Sequence, residues 1–150
     1  MAYNTTVMNE LRKPDSNTPS VQMMAAQNPE QVHELFVRYF NAGDIDSMVS
    51  LYETTATMVP FPDPEVSGHN QIRAALEGFL ALKGHMELSV DRTIHAPEIA
   101  LIFSRWTLKG TGPDGKPLEI GGQTSDVVRR QADGTWLLVI DNPQGAAAAG

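Results

Sequence analysis

Apolar residues recur at helical spacing through the first half of this chain and then change to strict alternation, so the sequence predicts helices first and long strands afterwards. Asn28 as N-cap, Pro29 at the first helical position and Gln31 two residues later open a helix. Val32, Leu35, Phe36, Tyr39 and Phe40 form its inner stripe, and Asn41-Ala42-Gly43 ends it. Asp44 caps a shorter second helix carrying Ile45, Met48, Val49, Leu51 and Tyr52. A third, from Gly68 to Leu82, presents Ile72, Ala75, Leu76, Phe79 and Leu80 and stops at Gly84.

Beyond Gly84, Met86, Leu88, Val90, Arg92 and Ile94 alternate with Glu87, Ser89, Asp91 and Thr93, the period of a strand. Ala96-Pro97-Glu98, Thr111 to Gly115 and Ala132-Asp133-Gly134 separate four such strands with residues that turns favour, which makes an antiparallel meander. A short strand near Thr57 to Val59 completes the order, and Gly121-Gly122 is expected to kink a long strand. Residues 1–27 show no sustained period and read as a flexible arm, with the Val21 to Ala26 stretch able to dock. The folded domain is expected over residues 28–143, followed by a disordered tail over 144–150.

Composition narrows the function. The 150 residues suit one domain, and the absence of cysteine removes disulfides and thiolate metal sites. Eleven Lys and Arg against eighteen Asp and Glu give a net charge of −7, which repels a phosphate backbone and argues against nucleic acid as a partner. No apolar stretch is long enough to span a bilayer and no signal-like segment opens the chain, so a cytoplasmic location is expected. The four histidines show no metal-ligand spacing, and no metal or other cofactor is expected. His33, next to Val32, reads as solvent-facing, and His69 as part of a helix start.

The order of elements, with Tyr39-Phe40-Asn41-Ala42-Gly43-Asp44-Ile45-Asp46, Ser67-Gly68-His69-Asn70-Gln71-Ile72-Arg73 and Asp133-Gly134-Thr135-Trp136, resembles the nuclear transport factor 2-like superfamily. Met58-Val59-Pro60-Phe61-Pro62 and Asp141-Asn142-Pro143 resemble its SnoaL-like group, related to ketosteroid isomerases and limonene epoxide hydrolase. The resemblance implies an α+β fold: three N-terminal helices on a strongly curved mixed or antiparallel sheet that encloses a conical pocket. Ketosteroid isomerases carry a general-base aspartate and a donating tyrosine where this chain has Pro60 and Phe36, so steroid isomerisation by that route is not expected. Their buried protonated aspartate does have an equivalent here, Asp126.

The same resemblance sets the phase of the strands. It turns Leu101, Phe103, Arg105 and Thr107 inward on one strand, Thr124, Asp126 and Val128 on the next, and Leu137, Val139 and Asp141 on the last. The implied catalytic set is Asp126, Asp141 and Arg105, a carboxylate acid or base with an arginine anchor, chemically like that of limonene epoxide hydrolase. Phe36, Phe40, Met58, Leu76, Phe79, Phe103, Thr107, Val128 and Val139 would line the substrate. A slip of one residue would instead turn Arg105 outward and make Trp106 the pocket residue.

Two functions fit these residues. One is acid/base chemistry on a small hydrophobic metabolite, as an isomerase, cyclase, dehydratase or epoxide hydrolase. The other is a non-catalytic binding or accessory domain in which Arg105 and its aspartates only satisfy one another. With Trp106, Ile102 and Trp136 or Leu138 on the convex sheet face, a homodimer through that face is expected.

Overall fold

The computed structural model describes residues 25–60 and 62–149, so the arm expected over 1–27 lies, up to residue 24, outside the described residues. Helix α1 spans Pro29–Ala42, where the Asn28 side chain accepts the Gln31 N–H at 3.0 Å. Gln31 in turn accepts the Gln27 N–H at 2.7 Å, so the start is tied twice, a cap of the kind worth about 1 kcal/mol. The helix stops at Gly43, whose φ of 70° is the left-handed conformation that glycine adopts without a Cβ penalty. Helix α2 is one short piece, Ile45–Val49, capped by Asp44. Strand β1 begins at Tyr52 and runs to Met58, so Tyr52, expected on the second helix, is a strand residue instead.

Strand β2 (Val66–Ser67) follows and leads into α3 (Gly68–Leu80). The four long strands are β3 (His85–His95), β4 (Ile99–Thr111), β5 (Pro117–Arg130) and β6 (Trp136–Asp141). With β1 and β2 they form one six-stranded sheet in the order β2-β1-β6-β5-β4-β3, antiparallel except for the parallel β1–β6 pair. The fold of the described residues is therefore α+β, with three α-helices and a mixed sheet. No helix of the described residues is long and apolar enough to cross a membrane.

The core lies between helices and sheet, where Val32, Met48, Tyr52, Met58, Ile72, Leu76, Ile102, Leu108 and Leu138 are almost completely buried. Asn41 ties α1 to β3 by exchanging two hydrogen bonds with the backbone of Met86, at 2.8 and 3.0 Å.

Two irregularities decide which side chains face that core. Val90 pairs with Ser104 and Arg92 with Phe103, so Asp91 is an extra residue in β3. Val127 pairs with Ile140 and Val128 with Leu138, so Val139 is an extra residue in β6. The expected kink at Gly121-Gly122 carries no shift of register, since these residues pair with Thr107 and Trp106 in unbroken sequence. Gly121 is needed for close approach instead: a Cβ there would lie 2.5 Å from the Trp106 carbonyl oxygen. At the C-terminal end, where no order is expected, Gly145–Ala149 form a 3₁₀ helix beside β5. It is reached through the Ser125 N–H, which donates to the Asn142 carbonyl at 3.0 Å.

Candidate active site

The phase of β4 is opposite to the one implied by the resemblance. Ala100, Ile102, Ser104, Trp106 and Leu108 are buried, and Arg105 and Thr107 are exposed. Arg105 points away from the core and donates three hydrogen bonds, at 2.7 to 3.1 Å, to Asp91, the extra residue of β3. It therefore anchors nothing in the interior. Phe103 and Thr107 leave the cavity with it. On β5 the expected phase and the structure agree, because Thr124, Asp126 and Val128 are buried. On β6 the bulge puts both Leu138 and Asp141 inward and removes Val139 from the lining.

A cavity lies against these inward residues, within a recess whose volume of about 560 Å³ includes open solvent. Phe36 and Phe40 from α1, Met58 from β1, and Leu76 and Phe79 from α3 form apolar wall; Val128 is buried but does not reach it. Met86, Leu88, Trp106, Leu138 and Pro143 complete that wall, and His33, Thr124, Asp126 and Asp141 supply its polar part. Among the lining residues Phe36, Phe79, Leu88 and Pro143 are half-buried while the titratable groups are buried, so the mouth is apolar and the charge lies deep.

Two hydrogen-bonded pairs occupy the deep end. In the first, His33 Nε2 lies 2.7 Å from Asp126 Oδ2 and His33 Nδ1 lies 2.8 Å from the Ser104 hydroxyl. The other carboxylate oxygen of Asp126 accepts the Asn142 backbone N–H at 2.7 Å. Burial works against an imidazolium at His33, but the hydrogen bond and charge of Asp126 outweigh it and hold the pKa above its ordinary value. The Ser104 hydroxyl can accept from a protonated ring and donate to a neutral one, so both states stay satisfied.

In the second pair, the Tyr52 phenol donates to Asp141 Oδ2. Burial, then the neighbouring Asp126 charge, raise the Asp141 pKa to about 7, against the weaker opposing effects of the Tyr52 hydrogen bond and His33. Burial and the Asp141 charge push the Tyr52 phenol well above its ordinary range, so it stays a neutral donor. Among the described residues Tyr52 is the only group that hydrogen-bonds the Asp141 carboxyl. Asp126, by contrast, has both oxygens engaged. No group of three or more His, Cys, Asp or Glu side chains among the described residues stands close enough to share a metal ion.

His33 and Tyr52 are the residues the sequence reading missed. His33 does carry a signal: it precedes Phe36 by three positions and Phe40 by seven, which places it on the same helical stripe. Tyr52 carries none, since its partner lies 89 residues away.

A family model described as a SnoaL-like domain matches residues 23–139, most of the chain. The chain belongs to the SnoaL-like domain family. No curated protein matches it. Solved structures of the same fold include a ketosteroid isomerase-like protein from Erwinia carotovora atroseptica, at 16% identity and TM-score 0.67, covering 75% of this chain and 88% of that one. A dehydratase candidate of the NTF2-like family from Streptomyces avermitilis is 16% identical at TM-score 0.64, covering 75% and 90%. A candidate calcium/calmodulin-dependent protein kinase type II association domain from Thiobacillus denitrificans is 17% identical at TM-score 0.67, covering 81% and 98%. At such identities the likeness establishes the NTF2-like fold of this SnoaL-like chain, and the side chains of its own cavity must carry any argument about chemistry.

Proposed function

We propose that this SnoaL-like protein is an acid/base enzyme acting on a small, uncharged, hydrophobic molecule held in the cavity, with Asp141 as the group that moves the proton. The observation that carries the reading is a buried carboxyl on an apolar cavity wall, bonded among the described residues by Tyr52 alone, whose pKa burial and the Asp126 charge raise to about 7. A group with that acidity is present in both forms at neutral pH, the condition under which proton transfer in either direction is efficient. In its ionised form it takes a proton from carbon beside a carbonyl; in its acid form it returns the proton to another position. The C–H bond broken and the one formed balance, so the rearrangement needs nothing but the shuttle. Tyr52 holds the carboxyl in place, and the His33–Asp126 pair keeps its own charges matched beside it.

The test is deuterium exchange. Incubated in D₂O with a panel of uncharged cyclic ketones, the protein is expected to catalyse exchange at carbon next to the carbonyl, read by proton NMR. Ketones that bind in the cavity, seen as a rise in melting temperature, yet never exchange would favour the non-catalytic binding domain instead.

The same proposal extends to a homodimer through the outer sheet face, on different residues from those expected. Ile102, Trp106, Trp136 and Leu138 are buried and unavailable to a partner. Ile94, Leu101, Val127 and Ile140 instead form a cross-strand row over β3, β4, β5 and β6, with Ile94 and Ile140 exposed by 42% and 39%. Such an apolar row supports a partner surface. Light scattering is expected to give twice the chain mass of 16.4 kDa at micromolar concentration, and Ile140→Lys to give the monomer. A native protein that stays at 16.4 kDa contradicts it.

A further inference from the structure

Asp141 is the last residue of β6, and among the described residues a single hydrogen bond, from Tyr52, holds its carboxyl, so the carboxyl stands where the backbone at its root puts it. Strand β1 fixes part of that backbone: Met58 pairs with Asp141, and the Val59 N–H donates to the Asp141 carbonyl at 2.9 Å. After Asp141 the strand has ended, and the chain leaving it is held by other bonds. The Asn142 N–H donates to Asp126 at 2.7 Å, and the Asn142 carbonyl accepts the Ser125 N–H at 3.0 Å. Pro143 has no N–H to give, and its carbonyl accepts Nε1 of Trp106 at 2.8 Å.

That last contact reaches over a strand. Trp106 stands on β4 and pairs on β5 with Gly122, which faces the same way without a side chain, so the indole passes over β5 to the segment beyond it. The hold at Pro143 is passed back along the chain with little slack. The proline ring fixes φ at Pro143, and the same ring disfavours the helical conformation at Asn142. Few soft torsions therefore separate the Trp106 hydrogen bond from the Asp141 Cα. We infer that Trp106 is a positioning residue: its indole N–H, acting through the Pro143 carbonyl, sets where the Asp141 carboxyl stands against Tyr52. Its effect on rate rests on Asp141 being the proton-moving group of the proposed function; its effect on Asp141 itself does not.

Benzothienylalanine placed at position 106 keeps the double ring and its share of the cavity wall, and puts sulfur where the N–H was. Trp106→Phe removes the same donor and carries the test if that replacement does not fold, while Asp44→Ala, which loses the α2 cap, controls for lost stability alone. Each protein is read twice, for the Asp141 carboxyl midpoint by carbon-13 NMR without ligand and for kcat and KM of ketone proton exchange. Without the indole N–H the segment after Asp141 loosens and water reaches the carboxyl. The midpoint is therefore expected to fall by at least about 0.5 toward the ordinary aspartate value, and kcat to fall at least about tenfold at unchanged KM. Asp44→Ala is expected to change neither. A midpoint that keeps its native value in the benzothienylalanine protein, or that moves as far in Asp44→Ala, overturns the inference. A midpoint that moves only with the change at 106, in a protein whose native form never exchanges ketone protons, sinks the enzymatic reading and leaves this one standing.

Discussion

Asp141→Asn is expected to lower ketone proton exchange by about 10²- to 10⁴-fold, the usual worth of a positioned acid or base, while leaving the protein at least as stable as before at pH 8. The two expectations have one cause. Asparagine still accepts the Tyr52 hydroxyl at the same oxygen but cannot carry a proton on or off, and it has no charge to bury. An acid held at about 7 in the folded chain and near about 4 in the unfolded one costs on the order of 4 kcal/mol of stability once ionised. Between those values the folded protein keeps a proton that the unfolded chain has released, so stability falls as pH rises from about 4 to above 7. His33 acts in the same direction: its stabilisation is complete below its unfolded pKa and is lost as pH rises through the raised folded one. Urea unfolding of the native protein across this range is expected to show the decline, and Asp141→Asn to flatten it. A variant with unchanged exchange and an unchanged pH slope would place the active group elsewhere.

Asp126→Ala is expected to destabilise the protein by about 3 to 5 kcal/mol, as breaking a buried charged pair does. At this chain length that lowers the melting temperature by roughly 10 °C. Asp126 is the shared acceptor of His33 and of the Asn142 N–H, and alanine leaves both without it inside the core. Asp126→Asn is expected to cost less, because its oxygen still accepts from Asn142 and its amide donates to Nε2 of a neutral His33. That ring then donates from Nδ1 to Ser104. The two variants losing the same small amount, under about 1 kcal/mol, would mean that the pair does not hold the site together; surface changes have effects of that size.

The course of the chain was legible because punctuation is local. Asn28-Pro29 and Gly43 bound α1 through hydrogen bonds made within a few residues, and the turns between the long strands use residues suited to them. The face of a strand is not local. Both faces of β4 carry large apolar side chains, Leu101 and Phe103 on one and Ile102 and Trp106 on the other, so a period of two fits either phase. What settles it is distant: His33 bonding Ser104, and the bulge that brings Asp91 beside Arg105. Likewise nothing in Trp136 to Asp141 announces an extra residue at Val139, yet that residue lets Leu138 and Asp141 share one side. The phase implied by the resemblance turns Arg105 inward, whereas the structure gives it a surface partner, Asp91. Asp126 and Asp141 do meet at one end of the cavity, and their effective partners are His33 and Tyr52 rather than a cation from β4.

The proposed chemistry turns on the protonation of one side chain, Asp141. Carbon-13 NMR of the protein labelled at aspartate carboxyls, titrated from pH 3 to 9 and assigned by the signal missing from Asp141→Asn, reads it directly. A carboxyl midpoint at about 7 that moves when an uncharged ketone fills the cavity is the predicted result. A midpoint near the ordinary aspartate value of about 4, indifferent to ligand, would contradict it.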